Sequence, residues 1–293
     1  MKHALSIDVE DYFQVSAFES QISRSDWHNH ESRVVANTRR ILRILEETDT
    51  RATFYVLGWV AKHFPDIVHE ISAAGHEIGS HSYWHRLIYE MSPQEFADDL
   101  GKSLEALSDI TGERIETYRA PSFSVTRQSL WALEVLARHG ITTDTSIYPV
   151  VHDRYGISDA PTGIHWIETD SGTLLEFPPA VMRWGGQNFP VGGGGYFRFW
   201  PLAVTLRALK HLERSGQPFV FYLHPWEIDP GQPRLRTGSM LSRWRHYLNL
   251  DQVESRLRTL LKTFEFAPIR EVVKQVAVRP ERVRSVESLC GVS

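Results

Sequence analysis

The sequence predicts an α/β protein with a mostly parallel sheet and helices outside it. Two observations predict this. Short apolar segments rich in β-formers alternate with longer segments of helical periodicity, and most of the short segments run directly into a polar or charged residue. A length of 293 residues exceeds an average domain and is ordinary for a single α/β barrel. An open doubly wound sheet and a closed barrel both fit the alternation, and no linker or internal repeat divides the chain.

Each element has its own signal. Ala4 to Val9 is a short buried strand that ends among acids. Val34 to Glu47 carries a helical stripe at Val35, Ile41, Leu42 and Leu45. Ala52 to Leu57 is rich in β-formers and stops at Gly58. Trp59 to Ala74 reads as one helix with Gly75 as its stop, and His76 to Ser80 as a strand leading into His81. Ser92, Pro93 and Glu95 form a capping box with proline at the first helical position, opening a helix that runs to Thr111 and stops at Gly112. Ile115 to Tyr118 is a strand ending at Arg119-Ala120-Pro121, and Thr126 to His139 a helix closed by Gly140. Ile141 to Thr143 is a strand ending at Asp144, and Gly163 to Phe177 a hairpin turning at Ser171-Gly172. Pro201 to Arg214 is a helix, Phe219 to Leu223 the most apolar strand, ending at His224, and Asp251 to Phe264 a helix. The expected organisation is one domain over 1–293: a motif core at about 4–225, a helical extension at about 226–277 and a polar tail from about 278.

Bulk properties exclude several classes. Hydrophobic residues at 42% and charged residues at 23% are globular proportions and argue against disorder. The net charge of −4 gives no reason to expect nucleic acid or an anionic membrane as partner. The local cluster Arg234, Arg236, Arg243 and Arg245 reads as a solvated face. Cys290 is the single cysteine, so no intrachain disulfide forms, and its place near the end argues against catalysis. No run of eighteen apolar residues is present, and Asp8 interrupts any apolar signal stretch at the N-terminus, so a cytoplasmic location is expected.

The chemistry concentrates at strand ends. Asp8, His81, Arg119, Asp144 and His224 fall at or just after the C-terminal ends of five expected strands, which in parallel α/β folds share the face where active sites form. His81 and His85, four residues apart, face the same way if they lie on a helical turn, ~6 Å apart along its axis. With one carboxylate they make a three-ligand metal site with a position left for water. An isolated pair of this spacing is usually incidental; Asp8, Arg119 and His224 at matching strand ends make a site the better reading. The carboxylate is Glu10 or Asp11. Glu10 shares a face with Asp8 by period two if the strand continues, whereas Asp11 turns inward if the strand ends at Val9.

At this point the chain resembles the polysaccharide deacetylases of the NodB-homology type, carbohydrate esterase family four. The resemblance spans about residues 4–225 and rests on Ser6-Ile7-Asp8-Val9-Glu10-Asp11, His81-Ser82-Tyr83-Trp84-His85, Arg119-Ala120-Pro121, Asp144-Thr145-Ser146 and Leu223-His224, in family order. The first motif departs from the family's usual adjacent aspartates and is similar to a branch nearer to a peptidoglycan deacetylase and allantoinase-like enzymes. The segment from Pro190 to Phe199 and the stretch His224 to Asp229 resemble a subgroup associated with exopolysaccharide loci.

The resemblance implies an irregular (β/α)7 barrel and a metal held by one acid and two histidines, zinc by ligand type, with cobalt or nickel suiting the same donors. It implies removal of N-acetyl groups from an amino-sugar polysaccharide or its precursor. Asp8 would be the general base, held by Arg119 through a bidentate contact. Backbone N–H groups after Pro121, at Ser122 or Phe123, would meet the oxyanion. His224 would protonate the leaving amine, with Asp144 pairing to keep it charged, or else Asp144 is a structural anchor.

Tyr196 and Trp226, together with Trp184 and Trp200, are candidates to stack on sugar rings, and covering the barrel is the competing reading for each. Gly192 to Gly195 lacks the features of a phosphate loop and reads as a flexible, substrate-facing loop. Two other functions fit the same residues: an allantoinase-like hydrolase of a small cyclic or linear amide, and a glycan-binding module without activity.

Overall fold

The computed structural model describes residues 1–235, 238–276 and 283–289. In chain order its strands are β1 (His3–Val9), β2 (Thr53–Val56), β3 (Glu77–Ser80), β4 (Thr117–Tyr118), β5 (Thr143–Asp144), β6 (His165–Thr169), β7 (Gly172–Glu176), β8 (Val181–Trp184), β9 (Gln187–Pro190), β10 (Val220–Leu223), β11 (Phe266–Ala267) and β12 (Val283–Ser285). The main sheet runs β10-β1-β2-β3-β4-β5-β7-β6-β12, with β11 also beside β1. Every pairing in it is parallel except the β6–β7 hairpin. Just past β7, Pro179 bridges Val220 of β10 in parallel. That bridge closes β1, β2, β3, β4, β5, β7 and β10 into an irregular seven-stranded barrel, so of the two α/β architectures the alternation allowed, the structure takes the closed one.

Burial explains why the barrel strands read as apolar runs. All seven residues of β1 are buried, as are all of β2, β3 and β10. Alternation sorts their side chains. Leu5, Ile7 and Val9 join Phe54, Val56, Phe221 and Leu223 in the apolar layer beneath the outer helices, which also holds Ile41, Leu45 and Leu257. Ser6 and Asp8 therefore point into the barrel.

Several boundaries differ from the sequence expectation. The helix expected from Trp59 to Ala74 is two helices, Gly58–His63 and Pro65–Ala73, because Pro65 cannot donate to the first and pushes Phe64 out of the helical region, to φ −135° and ψ 58°. The helix expected from Thr126 begins as a 3-10 turn at Arg127–Ser129 and becomes α-helical at Trp131–Arg138. The β6–β7 hairpin pairs Thr169 with Gly172, so its turn is Asp170-Ser171, one residue earlier than expected. The capping box at Ser92 and Glu95 is formed, and the helix Pro93–Thr111 ends at Gly112 in the left-handed region.

The glycine run is not a free loop. Gly193 bridges Tyr222 of β10 and Gly194 opens the helix Gly194–Phe199. At Gly193, φ is +126° and any Cβ would collide with the Tyr222 backbone. Glycine is needed there for close approach of two chains, a reason the sequence pattern does not display.

The 226–277 extension carries helices at Met240–Tyr247, Leu250–Thr263 and Ile269–Gln275. It also supplies β11, an addition to the barrel edge. Within the expected polar tail, Val283–Ser285 pairs with β6 and is followed by the short helix Val286–Leu289; the rest of the tail, with Cys290, lies outside the described residues, as does Arg236. Among the described residues no helix is long and apolar enough to cross a membrane.

Gly193→Ala is expected to lower unfolding free energy by more than about 2 kcal/mol, because strain at positive φ adds to backbone collision. Gly185→Ala, at φ +57° with open space around the new methyl, should lose only about 1–2 kcal/mol. Denaturant unfolding of both variants checks the difference; equal losses would show that the contact with β10 is unimportant.

Candidate active site

The rim at the C-terminal ends of the barrel strands gathers most of the polar residues that the sequence singled out. β1 ends at Val9, and the chain then folds tightly back, with the Glu10 N–H donating to the Asp8 carbonyl at 3.0 Å. This turn sends both Asp8 and Glu10 into the barrel mouth, although the strand has already stopped. Asp11 points elsewhere. Its carboxylate accepts from Ser32 Oγ at 2.7 Å and from the backbone N–H groups of Arg33 at 2.9 Å, Val34 at 3.2 Å and Tyr12 at 3.1 Å. It thus caps the helix Val34–Glu47, whose free amides and dipole favour a carboxylate there. Burial nevertheless raises its pKa to about 6 against those hydrogen bonds.

The histidine pair converges by a route the spacing did not foretell. Residues 81–87 form no helical turn. Ser82 and His85 take φ of +65° and +52°, and Asp99 accepts from the N–H groups of Tyr83 at 2.7 Å and Trp84 at 3.2 Å to hold the loop. The two imidazoles lie 5.3 Å apart, centre to centre. Glu10, His81 and His85 are buried, and each offers a donor atom within 4.8 Å of the others'.

Three observations show that this group fits a cation. Glu10 Oε2 lies 2.6 Å from His85 Nε2. That oxygen is buried and has no hydrogen-bond donor, so a cation shared by the two atoms would satisfy both. His81 Nδ1 is 2.8 Å from the Arg119 carbonyl, which accepts the ring proton and leaves Nε2 as a lone-pair donor. Burial, followed by the adjacent His85, lowers the His81 pKa to about 4 despite Asp8 and Glu10, so the ring is neutral at pH 7. Burial opposes ionisation of Glu10, yet His85 and His224 outweigh it and the carboxylate stays charged.

Asp8 sits beside this group. Its Oδ1 accepts from Arg119 Nη1 at 2.7 Å, and the same nitrogen also donates to Ser6 Oγ at 2.7 Å. The contact is single, where a bidentate one was expected, because Arg119 Nε is committed to Thr145 Oγ1 at 2.8 Å. Arg119 is fully buried and lies over the Tyr55 ring at 4.5 Å.

His224 Nε2 looks across the mouth, 3.6 Å from Glu10 Oε1 and 3.9 Å from Asp8 Oδ2. Its Nδ1 lies 2.9 Å from Glu227 Oε2. Burial disfavours its charged form, but Glu227, Glu10 and Asp8 together raise its pKa to about 9.

Two expectations are corrected here. Asp144 does not pair with His224; Glu227 occupies that position. Asp144 instead accepts from Ser146 Oγ at 2.5 Å and lies opposite Glu176 in the β5–β7 register. Burial pushes Asp144 up to about 6 and Glu176 well above its ordinary range, the latter helped by its neighbour's charge. Each acid thus favours its protonated form, and a proton held between them would tie β5 to β7. Trp226 is not an open stacking platform. It is buried, donates to Glu10 Oε1 at 3.1 Å, and lies between the rings of His224 at 5.2 Å and His246 at 4.3 Å.

Of the other expected contacts, Pro121–Phe123 forms a 3-10 turn in which Ser122 and Phe123 both have positive φ, +52° and +53°. The Phe123 N–H is bonded to the Ala120 carbonyl at 3.0 Å, which leaves the Ser122 N–H as the free one of the two. Tyr196 is half-buried and its hydroxyl meets that of Tyr155 at 2.8 Å. Trp184 is exposed on β8, and Trp200 donates to the Pro190 carbonyl at 3.2 Å. Glu227 and Arg198 were missed from sequence. A glutamate three residues after His224 was the available signal, and it reads first as a helix cap.

Residues 29–143 match the family model "Polysaccharide deacetylase". Residues 145–274 match one described as "Domain of unknown function (DUF3473)". The chain is 28% identical over 120 residues to a peptidoglycan-N-acetylglucosamine deacetylase of Bacillus cereus, covering 37% of this chain and 44% of that one. It is 28% identical over 131 residues to a peptidoglycan deacetylase of Helicobacter pylori, covering 45% and 43%. The chain thus spans less than half the length of these relatives. A solved Mycobacterium smegmatis structure, described as a polysaccharide deacetylase, superposes with a TM-score of 0.64 over 96% of this chain and 91% of that one, at 17% identity. The fold is the α/β barrel of that structure, and residues 29–143 carry the match to the polysaccharide deacetylase family. The matched deacetylase segment holds His81, His85 and Arg119; Asp8 and Glu10 precede it, and His224 lies in the second segment.

Because the folded-state pKa of Asp144 is raised from 3.8 to about 6, its contribution to stability is full below its unfolded pKa and is lost as pH rises through about 6. Asp144→Asn, which mimics the protonated acid, should therefore flatten the fall in stability between about pH 4 and pH 7. Denaturant midpoints across that range test this, and an unchanged slope would contradict the shared-proton arrangement.

Proposed function

We propose that the chain is a metal-dependent hydrolase that removes N-acetyl groups from an amino-sugar polysaccharide or its precursor and releases acetate. The observation that carries the reading is the meeting of Glu10, His81 and His85, whose donor atoms lie within 4.8 Å of one another, with Asp8 on one side and His224 on the other. Among the relatives, the named substrates are peptidoglycan and its N-acetylglucosamine. An N-acetylated glycan is the substrate class that these names and the strand-end chemistry share.

Glu10, His81 and His85 would hold the ion, and two imidazoles with one carboxylate suit zinc, with cobalt or nickel compatible. When bound, such an ion supplies Lewis-acid polarisation of the acetamide carbonyl and a water of lowered pKa. Asp8 takes the proton from the attacking water; Arg119 fixes one of its oxygens and leaves Oδ2 facing the site. The Ser122 N–H is the donor available to the oxyanion as the carbonyl carbon becomes tetrahedral. His224 then gives its Nε2 proton to the amine nitrogen as the C–N bond breaks. The charge fits this task, since an amide nitrogen leaves poorly unless protonated, and the surrounding carboxylates hold the imidazole in its protonated form.

Asp8→Asn and His224→Ala should each reduce kcat for acetate release from N-acetylated chito-oligosaccharides about 10²- to 10⁴-fold while metal content stays near one ion per chain. Absence of bound metal in the purified protein, together with unchanged activity in both variants, would sink the assignment.

The two acids after Val9 are separated by a second pair of variants. Glu10→Gln should lose most of its metal. Asp11→Asn should retain it and instead lose about 1–2 kcal/mol of stability as a weakened helix cap. Metal analysis and denaturant unfolding read the two effects separately, and metal loss in Asp11→Asn alone would reverse the assignment.

A further inference from the structure

We infer that Glu227, clamped by Arg198, is the positioning residue that orients His224 for proton delivery, and that the segment of unknown function exists in part to build this clamp. The inference rests on the deacetylase reading above for its catalytic meaning, and on geometry alone for its structural content.

The clamp is continuous. Glu227 Oε2 receives both the His224 backbone N–H at 2.9 Å and the His224 Nδ1 contact at 2.9 Å. One carboxylate oxygen therefore fixes the residue's backbone and its ring together. The other oxygen, Oε1, accepts from Arg198 Nε at 2.7 Å. Arg198 Nη1 in turn donates to the carbonyls of Arg245 and His246 at 2.7 Å each and of Leu248 at 3.3 Å. Arg198, Glu227, Trp226 and His246 are each at most 4% exposed. The Trp226 ring lies flat against His224, at 21° between planes, and Arg198 sits 5.1 Å from its centre.

This arrangement does something that helix capping does not require. A buried ion pair offers little net stability over apolar packing, so its presence calls for a second reason. Here the carboxylate makes Nδ1 the protonated nitrogen of the neutral ring and aims Nε2 at Asp8 and Glu10. The ring cannot rotate without losing the Glu227 contact and the Trp226 stack. Glu227 bonds to His224 and Arg198 and to none of Glu10, His81 and His85, so its influence runs through His224.

All members of the clamp fall within residues 145–274, matched by the family of unknown function. The matched deacetylase segment, residues 29–143, holds both histidines of the metal group and Arg119. The second segment thus supplies the acid arm of one shared site, with no site of its own implied.

The test compares wild type with Glu227→Gln, Glu227→Asp, Arg198→Lys and His224→Ala in the full-length, zinc-loaded protein. Two substrates are used: an N-acetylated chito-oligosaccharide, and 4-nitrophenyl acetate, whose phenolate leaves without a proton. Glu227→Gln should lose at least 50-fold in kcat on the glycan, with KM and metal content changed less than threefold. Its loss on the aryl ester should stay below fivefold, and His224→Ala should show the same discrimination. Glu227→Asp and Arg198→Lys should fall between, with the aspartate recovering part of the glycan activity. Equal loss on both substrates, or no loss on either, overturns the inference.

A second measurement is independent of turnover. In ¹⁵N-histidine spectra, the His224 Nδ1 proton, assigned by its disappearance in His224→Ala, should be protected from exchange in wild type and lost in folded Glu227→Gln. Persistence of that protected proton in Glu227→Gln overturns the inference even if no glycan is turned over. Wild type inactive on every N-acetylated glycan, with the protected proton lost as expected, fails the deacetylase reading alone.

Discussion

The buried guanidinium of Arg119 is the constraint on which the rest of the site depends. It stands at the end of the shortest kind of strand in the barrel, yet its groups reach three parts of the mouth. Its side chain fixes Asp8, Ser6 and Thr145. Its carbonyl sets the His81 tautomer. The residues that follow it form the turn that carries the Ser122 amide. A cation removed this completely from water is tolerable only with a carboxylate beside it and its donors largely satisfied. Charge neutralisation in the core and placement of the base are therefore the same interaction.

Around that fixed point the site divides by protonation state. His81 is driven neutral by burial and a neighbouring ring, as a metal donor must be, whereas His224 is driven cationic by three carboxylates. Two imidazoles on one rim thus acquire opposite tendencies because burial prevails at His81, whereas Glu227 and its neighbouring carboxylates outweigh burial at His224. Asp11 and Asp144 show the complementary case. Both are buried acids close to the mouth, and both are engaged in holding elements together: Asp11 at a helix start and Asp144 between two strands.

Much of this was legible in the sequence because it depends on order along the chain. Strand ends are local events, and a parallel sheet brings them to one face whatever the loops do. Asp8, His81, Arg119, Asp144 and His224 could therefore be placed on a common rim from β-former runs alone. Three things were not legible. The convergence of His81 and His85 comes from two residues in left-handed conformation and a distant aspartate, Asp99, and their spacing imitates a helical turn that is absent. The choice between Glu10 and Asp11 turned on a tight turn at Val9 and on whose helix needed a cap. The glycines at 193 and 194 serve close packing against Tyr222, which no pattern of glycines can distinguish from a flexible loop.

The sequence by itself determined the α/β class and the rim residues, since periodicity and strand order are properties of one dimension. Tertiary structure alone decided which carboxylate faces the histidines, that Glu227 and not Asp144 stands behind His224, and that Trp226 is an internal wall of the site. Those outcomes depend on contacts between residues far apart in the chain, 216 positions in the case of Glu10 and Trp226. Such contacts exist only after the barrel has closed, because hydrogen-bond partners are selected by distance and burial and not by separation along the chain.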